Sequence, residues 1–326
     1  MEIVRHHDLE FHVQRHCGKS GPDLVLLHGF LGSGQQFTHL FPELSKVVNP
    51  VTMDIIPSHP EARLDAPSLV EGLQKTITRI SANKQAPPWV LGYSMGGRLA
   101  LSWAVRYAEC AAGLILESTT AGIADPEQQA LRREADAGRA QRIHHDFSDF
   151  LDEWEQNPLF RAPDASDEKG LPGKSGATGE ADTTGEADKT DGTDSKDTSD
   201  STDTSEASAN KHHDKHSEPH NRLAAIQRSQ DPEVMARWLR DFGTGSMPPL
   251  WDELHHINIP VLLVTGASDP KFYDLADQMA RHLPNARHEM IPNAAHRVHV
   301  DNPAGYLSCL LSFLAEAGRT GSGDIP

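Results

Sequence analysis

Residues 89–107, WVLGYSMGGRLALSWAVRY, carry a short apolar run straight into a helix-period stretch, with only Gly92-Tyr93-Ser94-Met95-Gly96 to make the corner. A chain that turns from strand to helix in so few residues leaves no room for Cβ atoms beside the turn, and the glycines supply that room. The same corner lifts the Ser94 hydroxyl clear of the backbone at the positive end of the following helix, Met95–Tyr107. Such a corner works only where a strand is followed by a helix packed back onto it. It commits the surrounding chain to layered strand–helix units.

Four apolar runs of strand length fit that commitment: Asp23–His28 (DLVLLH), Trp89–Tyr93 (WVLGY), Ala112–Glu117 (AGLILE) and Ile259–Gly266 (IPVLLVTG). Because they are apolar throughout rather than alternating, they read as parallel strands covered on both faces. With helix-period segments between them, such as Met95–Tyr107 and Leu275–His282, the expected fold is α/β with a mostly parallel, doubly wound sheet. The rhythm stops at Thr119 and resumes after Leu250. Residues 1–118 and 251–326 are therefore expected to build the core, and residues 119–250 an inserted helical cap. Within the cap, the 58 residues from Asp164 to Asn221 hold one Leu and six Ala as their only apolar side chains, against 15 acids and six lysines. Such a tract cannot offset its ordering entropy by burial and is expected to be disordered.

Charge limits the partners. There are 30 Lys and Arg against 47 Asp and Glu, a net charge of −17, which disfavours a nucleic acid or an anionic membrane. No uncharged apolar run reaches the roughly 18 residues needed to span a bilayer, and the first residues show no apolar leader. A cytoplasmic protein without membrane insertion is expected; nothing in the sequence sets its oligomeric state. The three cysteines, Cys17, Cys110 and Cys309, are odd in number and far apart, which suits neither a disulfide framework nor a zinc site. The run His212-His213-Asp214-Lys215-His216 is at most an adventitious metal binder in a disordered chain. No metal or organic cofactor is expected.

A serine hydroxyl is inert at neutral pH unless a histidine takes its proton and a carboxylate fixes that histidine's tautomer. Both follow Ser94 in the order this fold expects. Asp269 follows the apolar strand in GASDPKF, and His296 follows the short strand His288–Ile291 in PNAAHRVHVDNP. His299 and Asp274 are the rivals, one further along the loop and the other inside the next helix. His28-Gly29-Phe30 ends the first strong strand, a place that normally supplies one of two oxyanion-hole amides; the donors would be Phe30 and Met95. Outside the acidic tract the cap has nine Arg and no Lys. Arg98 sits one helical turn after Ser94. Planar guanidinium forks suit carboxylates, so the set suggests a small polyanionic substrate.

LLHGF, GYSMGGRLAL, the GASD turn and the terminal histidine loop together resemble the α/β-hydrolase superfamily and bracket almost the whole chain. More narrowly, HGFLGSGQQF, GYSMGGR, LRREAD with AQRI, FLDEWEQNPLF, RWLRDFGTGSMPPLW and SDPKF resemble the 2-succinyl-6-hydroxy-2,4-cyclohexadiene-1-carboxylate synthases of menaquinone biosynthesis. The cap segments FLDEWEQNPLF and FGTGSMPPLW, which a general esterase has no reason to carry, are the most specific. The resemblance implies a lyase that eliminates pyruvate from a tricarboxylate, with the serine, deprotonated through the histidine, removing a proton alpha to the succinyl carbonyl. It also implies anion binding by Arg98, Arg132 and Arg228, and a pocket lined by Tyr93 and Trp154. The sequence departs from the family at two places. Phe37 stands where a Trp is common, keeping a ring for the substrate, and Asp54-Ile55-Ile56-Pro57-Ser58-His59 replaces a glycine-containing loop near the pocket mouth.

The triad alone also fits a carboxylesterase, thioesterase or carbon–carbon bond hydrolase, though an apolar ester pocket has no use for buried guanidinium groups. A non-catalytic binding protein is a third reading, against which a complete triad counts. If the tract is disordered, replacing Asp164–Asn221 by a short Gly/Ser linker leaves the thermal midpoint nearly unchanged, and limited proteolysis cuts first inside the tract. A protease-resistant tract would overturn that expectation.

Overall fold

The apolar runs become the interior of one sheet. The computed structural model describes residues 1–16, 21–59, 61–81, 86–161 and 217–320. Its strands are β1 (Glu2–His6), β2 (Leu9–Arg15), β3 (Asp23–Leu27), β4 (Asn49–Pro57), β5 (Trp89–Tyr93), β6 (Gly113–Glu117), β7 (Val261–Gly266) and β8 (Ala286–Ile291). They lie side by side in the order β1-β2-β4-β3-β5-β6-β7-β8. The pairings of β1 with β2 and β2 with β4 are antiparallel; those from β4 to β8 are parallel. The helices are α1 (Phe41–Leu44), α2 (Ala66–Ser81), α3 (Met95–Tyr107), α4 (Pro126–His145), α5 (Phe147–Glu155), α6 (Ser217–Arg228), α7 (Pro232–Phe242), α8 (Pro270–His282), α9 (Val298–Asp301) and α10 (Pro303–Thr320).

β3, β5, β6 and β7 are buried at every position, and their alternate side chains feed two cores. Val25, Leu27, Val90, Leu114, Leu116, Val261 and Leu263 join Leu69, Leu73 and Ile77 of α2 and Leu99 and Trp103 of α3 on one side. Leu24, Leu26, Leu91, Ile115, Leu262 and Val264 meet Phe37, Leu40 and the Tyr306, Leu310 and Phe313 face of α10 on the other. This two-sided cover explains why each central strand is apolar at consecutive positions. The β1–β2 hairpin, not anticipated from the sequence, is built differently. Leu9, Phe11 and Val13 point into the core while Glu10, His12 and Gln14 do not, and a tight turn with His7 at φ 48° joins the two strands.

Helices α4 to α7 fall between β6 and β7, where the strand–helix rhythm pauses. Asp125 and Asp231 cap α4 and α7 by accepting backbone amides at their first turns, each followed by a proline at the first helical position. Most of the proposed acidic tract, together with His212–His216 and Cys17, lies outside the described residues. Its far end does not behave as expected: residues 217–221 open α6. They are drawn into the helix because Glu218 pairs with Arg222 at 2.7 Å, Arg222 also donates to Thr38, and His220 bonds Asp301 at 3.1 Å.

Both family departures also sit elsewhere than expected. Phe37 is fully buried with its ring 5.0 Å from that of His299, so it packs in the core and does not line the substrate cavity. The loop after β4 is tied to the β1–β2 turn instead: the Ser58 amide donates to the Asp8 carbonyl at 2.8 Å, and His59 pairs with Asp8 at 3.1 Å.

Four histidines outside the site, His6, His16, His39 and His288, are held below the ordinary imidazole value, in each case chiefly by burial. For His39 the value falls to about 4, with the nearby His299 adding to the effect. The unfolded chain therefore takes up protons that the native state refuses, and stability is lost as pH falls from about 6.5 toward 4. Between pH 7.5 and 4.5 the His39 share is on the order of 2 kcal/mol. Thermal unfolding of His39→Gln should show a shallower acid slope than the parent; an equal slope would remove His39 as its source.

Candidate active site

Ser94 lies between the last residue of β5 and the first of α3 with φ 51° and ψ −106°, a backbone state that costs roughly 1–3 kcal/mol and persists only when its surroundings enforce it. Three hydrogen bonds do so. The Ser94 amide donates to the Glu117 carbonyl at 2.9 Å, and the Ser94 carbonyl accepts from the Arg98 amide at 3.0 Å and the Thr119 hydroxyl at 2.8 Å. The glycines are needed sterically: a Cβ on Gly92 would stand 2.4 Å from the Gly96 carbonyl oxygen, and one on Gly96 would stand 2.2 Å from that of Leu27.

Asp269 caps α8, its Oδ1 accepting the Phe272 amide at 3.1 Å. Its Oδ2 lies 2.8 Å from His296 Nδ1, and His296 Nε2 lies 3.1 Å from Ser94 Oγ. With the Nδ1 proton given to Asp269, Nε2 presents a lone pair to the serine proton. His296 and Asp269 are 3% and 2% exposed, and the Phe272 ring packs edge-on against the imidazole at 4.4 Å. The rivals are occupied elsewhere. His299 Nδ1 is bonded to Glu117 at 2.8 Å with both side chains fully buried, and Asp274 is exposed on α8.

A cavity opens over Ser94, and Phe30, Met95, Tyr93, Arg98, Arg132 and Trp154 all line it. Neither the Phe30 nor the Met95 amide has an acceptor among the described residues. Arg98 is 8% exposed. It donates to Thr244 Oγ1 and, at 3.1 Å, to the Phe242 carbonyl, and among the described residues no carboxylate pairs with it. Burial first, and then the charge of Arg132, push its pKa down to about 9, so it remains a cation at neutral pH. Arg132 shares its Nε–H between both Asp136 oxygens at 3.0 Å. Burial pushes the Tyr93 hydroxyl up, keeping it a neutral donor. Trp154 stands edge-on to Phe30 at 5.4 Å.

Arg228 does not reach the cavity. It is exposed at the end of α6, whose cavity-facing residues are Leu223 and Gln227, one turn apart; the next position points about 100° away. The Lys-free arginine set is likewise mostly structural, and of the nine Arg132 alone lines the cavity. Arg237 donates to the His59 and Ala62 carbonyls, Arg133 to that of Gly245, and Arg139 pairs with Asp136. Two cations outside the cap also line the cavity. Lys271 stands at the rim, and Arg297 beside the catalytic histidine is 5% exposed. Neither carries a motif; adjacency to Asp269 and His296 was the only available signal.

Residues 24–308 match the family model described as the alpha/beta hydrolase family. The chain is 28% identical over 299 residues to a putative 2-succinyl-6-hydroxy-2,4-cyclohexadiene-1-carboxylate synthase of Bacillus subtilis (strain 168), covering 89% of each protein. It is 26% identical to the synthase of the same name from Pectobacterium atrosepticum, covering 90% of this chain and 94% of that one. Among solved structures it superposes on MenH from S. aureus with a TM-score of 0.73 at 26% identity, over 94% of this chain and 99% of that one.

Ser94→Ala, His296→Ala and Asp269→Asn are each expected to remove most activity while leaving the unfolding midpoint within a few degrees of the parent. Residues of one proton relay are not additive, so Ser94→Ala/His296→Ala should be little worse than either single change. Multiplicative losses in that double variant would show that the two side chains act separately.

Proposed function

This chain belongs to the alpha/beta hydrolase family, and from that premise we propose that it is a carbon–oxygen lyase, a 2-succinyl-6-hydroxy-2,4-cyclohexadiene-1-carboxylate synthase. Its substrate is 2-succinyl-5-enolpyruvyl-6-hydroxy-3-cyclohexene-1-carboxylate. The observation that carries the reading is a complete serine–histidine–aspartate relay opening onto a cavity that holds a buried guanidinium, Arg98, with no carboxylate partner among the described residues. A neutral ester offers nothing to such a group, whereas a substrate carboxylate completes it.

In this reading Ser94, its proton drawn off by His296, removes the hydrogen alpha to the succinyl carbonyl. The electron pair of that C–H bond moves onto the carbonyl oxygen, where the Phe30 and Met95 amides stabilise the enolate. Collapse of the enolate forms the C2–C3 ring double bond, shifts the existing C3–C4 double bond to C4–C5 and breaks the C5–O bond to the enolpyruvyl group, which leaves as pyruvate after taking a proton back from His296. Asp269 holds the imidazole through both transfers. Arg98, with Arg132 behind it, anchors the substrate carboxylates, and Tyr93 and Trp154 shape the cavity wall. Residues 119–250 serve as the cap, and the reaction needs no metal or organic cofactor. A soluble three-carboxylate substrate suits an enzyme of the cytoplasm.

The test is pyruvate release from the enolpyruvyl substrate generated in a coupled assay. Arg98→Met keeps the stem volume but strands a carboxylate, which costs roughly 2–5 kcal/mol of transition-state binding and should appear in kcat/KM. Arg98→Lys should lie between, keeping charge without the fork. Any side activity on a neutral aryl ester should hardly change. Parental pyruvate release by Arg98→Met would remove the anion-anchoring role.

A further inference from the structure

Arg297 follows the catalytic histidine directly and lines the cavity, yet the relay does not use it. Its guanidinium is engaged on two sides, with the Tyr93 hydroxyl as a further neighbour. The terminal nitrogens meet the two Glu155 oxygens at 2.7 and 2.8 Å, and the guanidinium carbon stands 3.8 Å from the centre of the Phe160 ring. The pair is asymmetric: the arginine side chain is 6% exposed and the glutamate 38%. The cation is thus fixed in the wall, while its carboxylate comes from the solvent side, at the last residue of α5.

We infer that Arg297 is a carboxylate-binding subsite of this cavity, occupied by Glu155 when the cavity is empty and surrendered to a carboxylate of the ligand when it is filled. This inference rests on the tricarboxylate substrate proposed above. A bidentate carboxylate on a planar fork is the geometry a ligand carboxylate would adopt there, so exchange preserves both hydrogen bonds and leaves no buried charge alone. Glu155 can leave because its released carboxylate has water within reach. The exchange also selects the ligand: a neutral molecule cannot displace Glu155 without stranding Arg297, whereas an anion can.

Glu155 is preceded by Trp154, which lines the cavity, and followed by the Pro158–Phe160 turn, whose Leu159 carbonyl accepts the His296 amide at 3.3 Å. A purely structural brace between cap and catalytic loop would involve the same contacts, so the test must separate the two roles. Tricarballylate (propane-1,2,3-tricarboxylate) is titrated calorimetrically into the full chain, with its trimethyl ester as the neutral control. Competition by Glu155 predicts that Glu155→Gln binds tricarballylate about five- to tenfold more tightly than the parent, without gain for the ester. Arg297→Met should bind it at least about tenfold more weakly and Arg297→Lys in between, and adding Glu155→Gln to Arg297→Met should change nothing further. A brace predicts the opposite sign for Glu155→Gln. Equal or weaker binding by that variant, or no tricarballylate binding by either it or the parent, overturns the inference. Should Arg297→Met fold poorly, the Glu155→Gln titration decides alone. The titration involves no turnover. Tightening without pyruvate release would fail only the lyase reading, and pyruvate release without tightening would fail only the subsite.

Discussion

The end of β6 holds the site together. In register with Tyr93 across the sheet, Glu117 uses its backbone carbonyl to take the Ser94 amide and so to hold the strained corner. With its side chain it takes both the amide and the ring Nδ1 of His299, at 3.0 and 2.8 Å. His299 lies three residues beyond His296, so the same residue anchors the nucleophile and the loop carrying its base. Neither end is adjustable: the Ser94 backbone is outside the ordinary regions and the Glu117–His299 pair is fully buried. A buried pair is poor evidence for net stability, because desolvation offsets much of the attraction, but breaking one partner is expensive. Its value here is geometric, since the 3.1 Å approach of His296 to Ser94 depends on where that loop is pinned.

How much of this was legible follows from which interactions are local. The strand–helix corner was legible because sterics within five residues demand it, and the parallel strands because burial on both faces removes polar residues from consecutive positions. Asp269 and His296 were legible through chain order and strand ends. The β1–β2 hairpin was legible only in part: Leu9–Gln14 alternates strictly between apolar and polar side chains, the period of a half-buried strand, but so short a segment does not reveal which strands it pairs with. Arg228 was misplaced for a different reason. Which face of α6 meets the cavity is set by tertiary packing of Leu223 and Ile226, and a one-residue error in helical phase moves a side chain about 100°.

The cap arginines show the same limit in charge. Nine guanidinium groups without a lysine suggested a polyanion clamp, but an arginine's use is decided by the acceptor that folding brings near it. Backbone carbonyls claim Arg133 and Arg237, Asp136 claims Arg132 and Arg139, and glutamates claim Arg142 and Arg222. Arg297 escaped notice because its partner Glu155 is 142 residues away in sequence, with the acidic tract in between. Buried Asp136, 1% exposed, and half-exposed Glu155 are thus the residues that turn a count of arginines into a map.

That map bears on why one triad serves two chemistries. Hydrolysis requires a serine that attacks carbon and a water that later replaces it; elimination requires only that a proton leave and return. The relay geometry is common to both, so the distinction lies in what the cavity holds over Ser94. Here three arginines of graded compensation face the same space. Among the described residues Arg132 is matched by Asp136, Arg297 is matched by a partly exposed glutamate, and Arg98 is bonded only to neutral oxygens. An anionic ligand gains most at Arg98, where it pairs a buried charge, and least at Arg132, where it must compete with a fixed carboxylate. Such a gradient orients a polycarboxylate before any bond changes and presents one carbon to Ser94 repeatedly in the same pose. Proton abstraction alpha to a carbonyl needs that fixed presentation, whereas a serine attacking a neutral ester gains nothing from it.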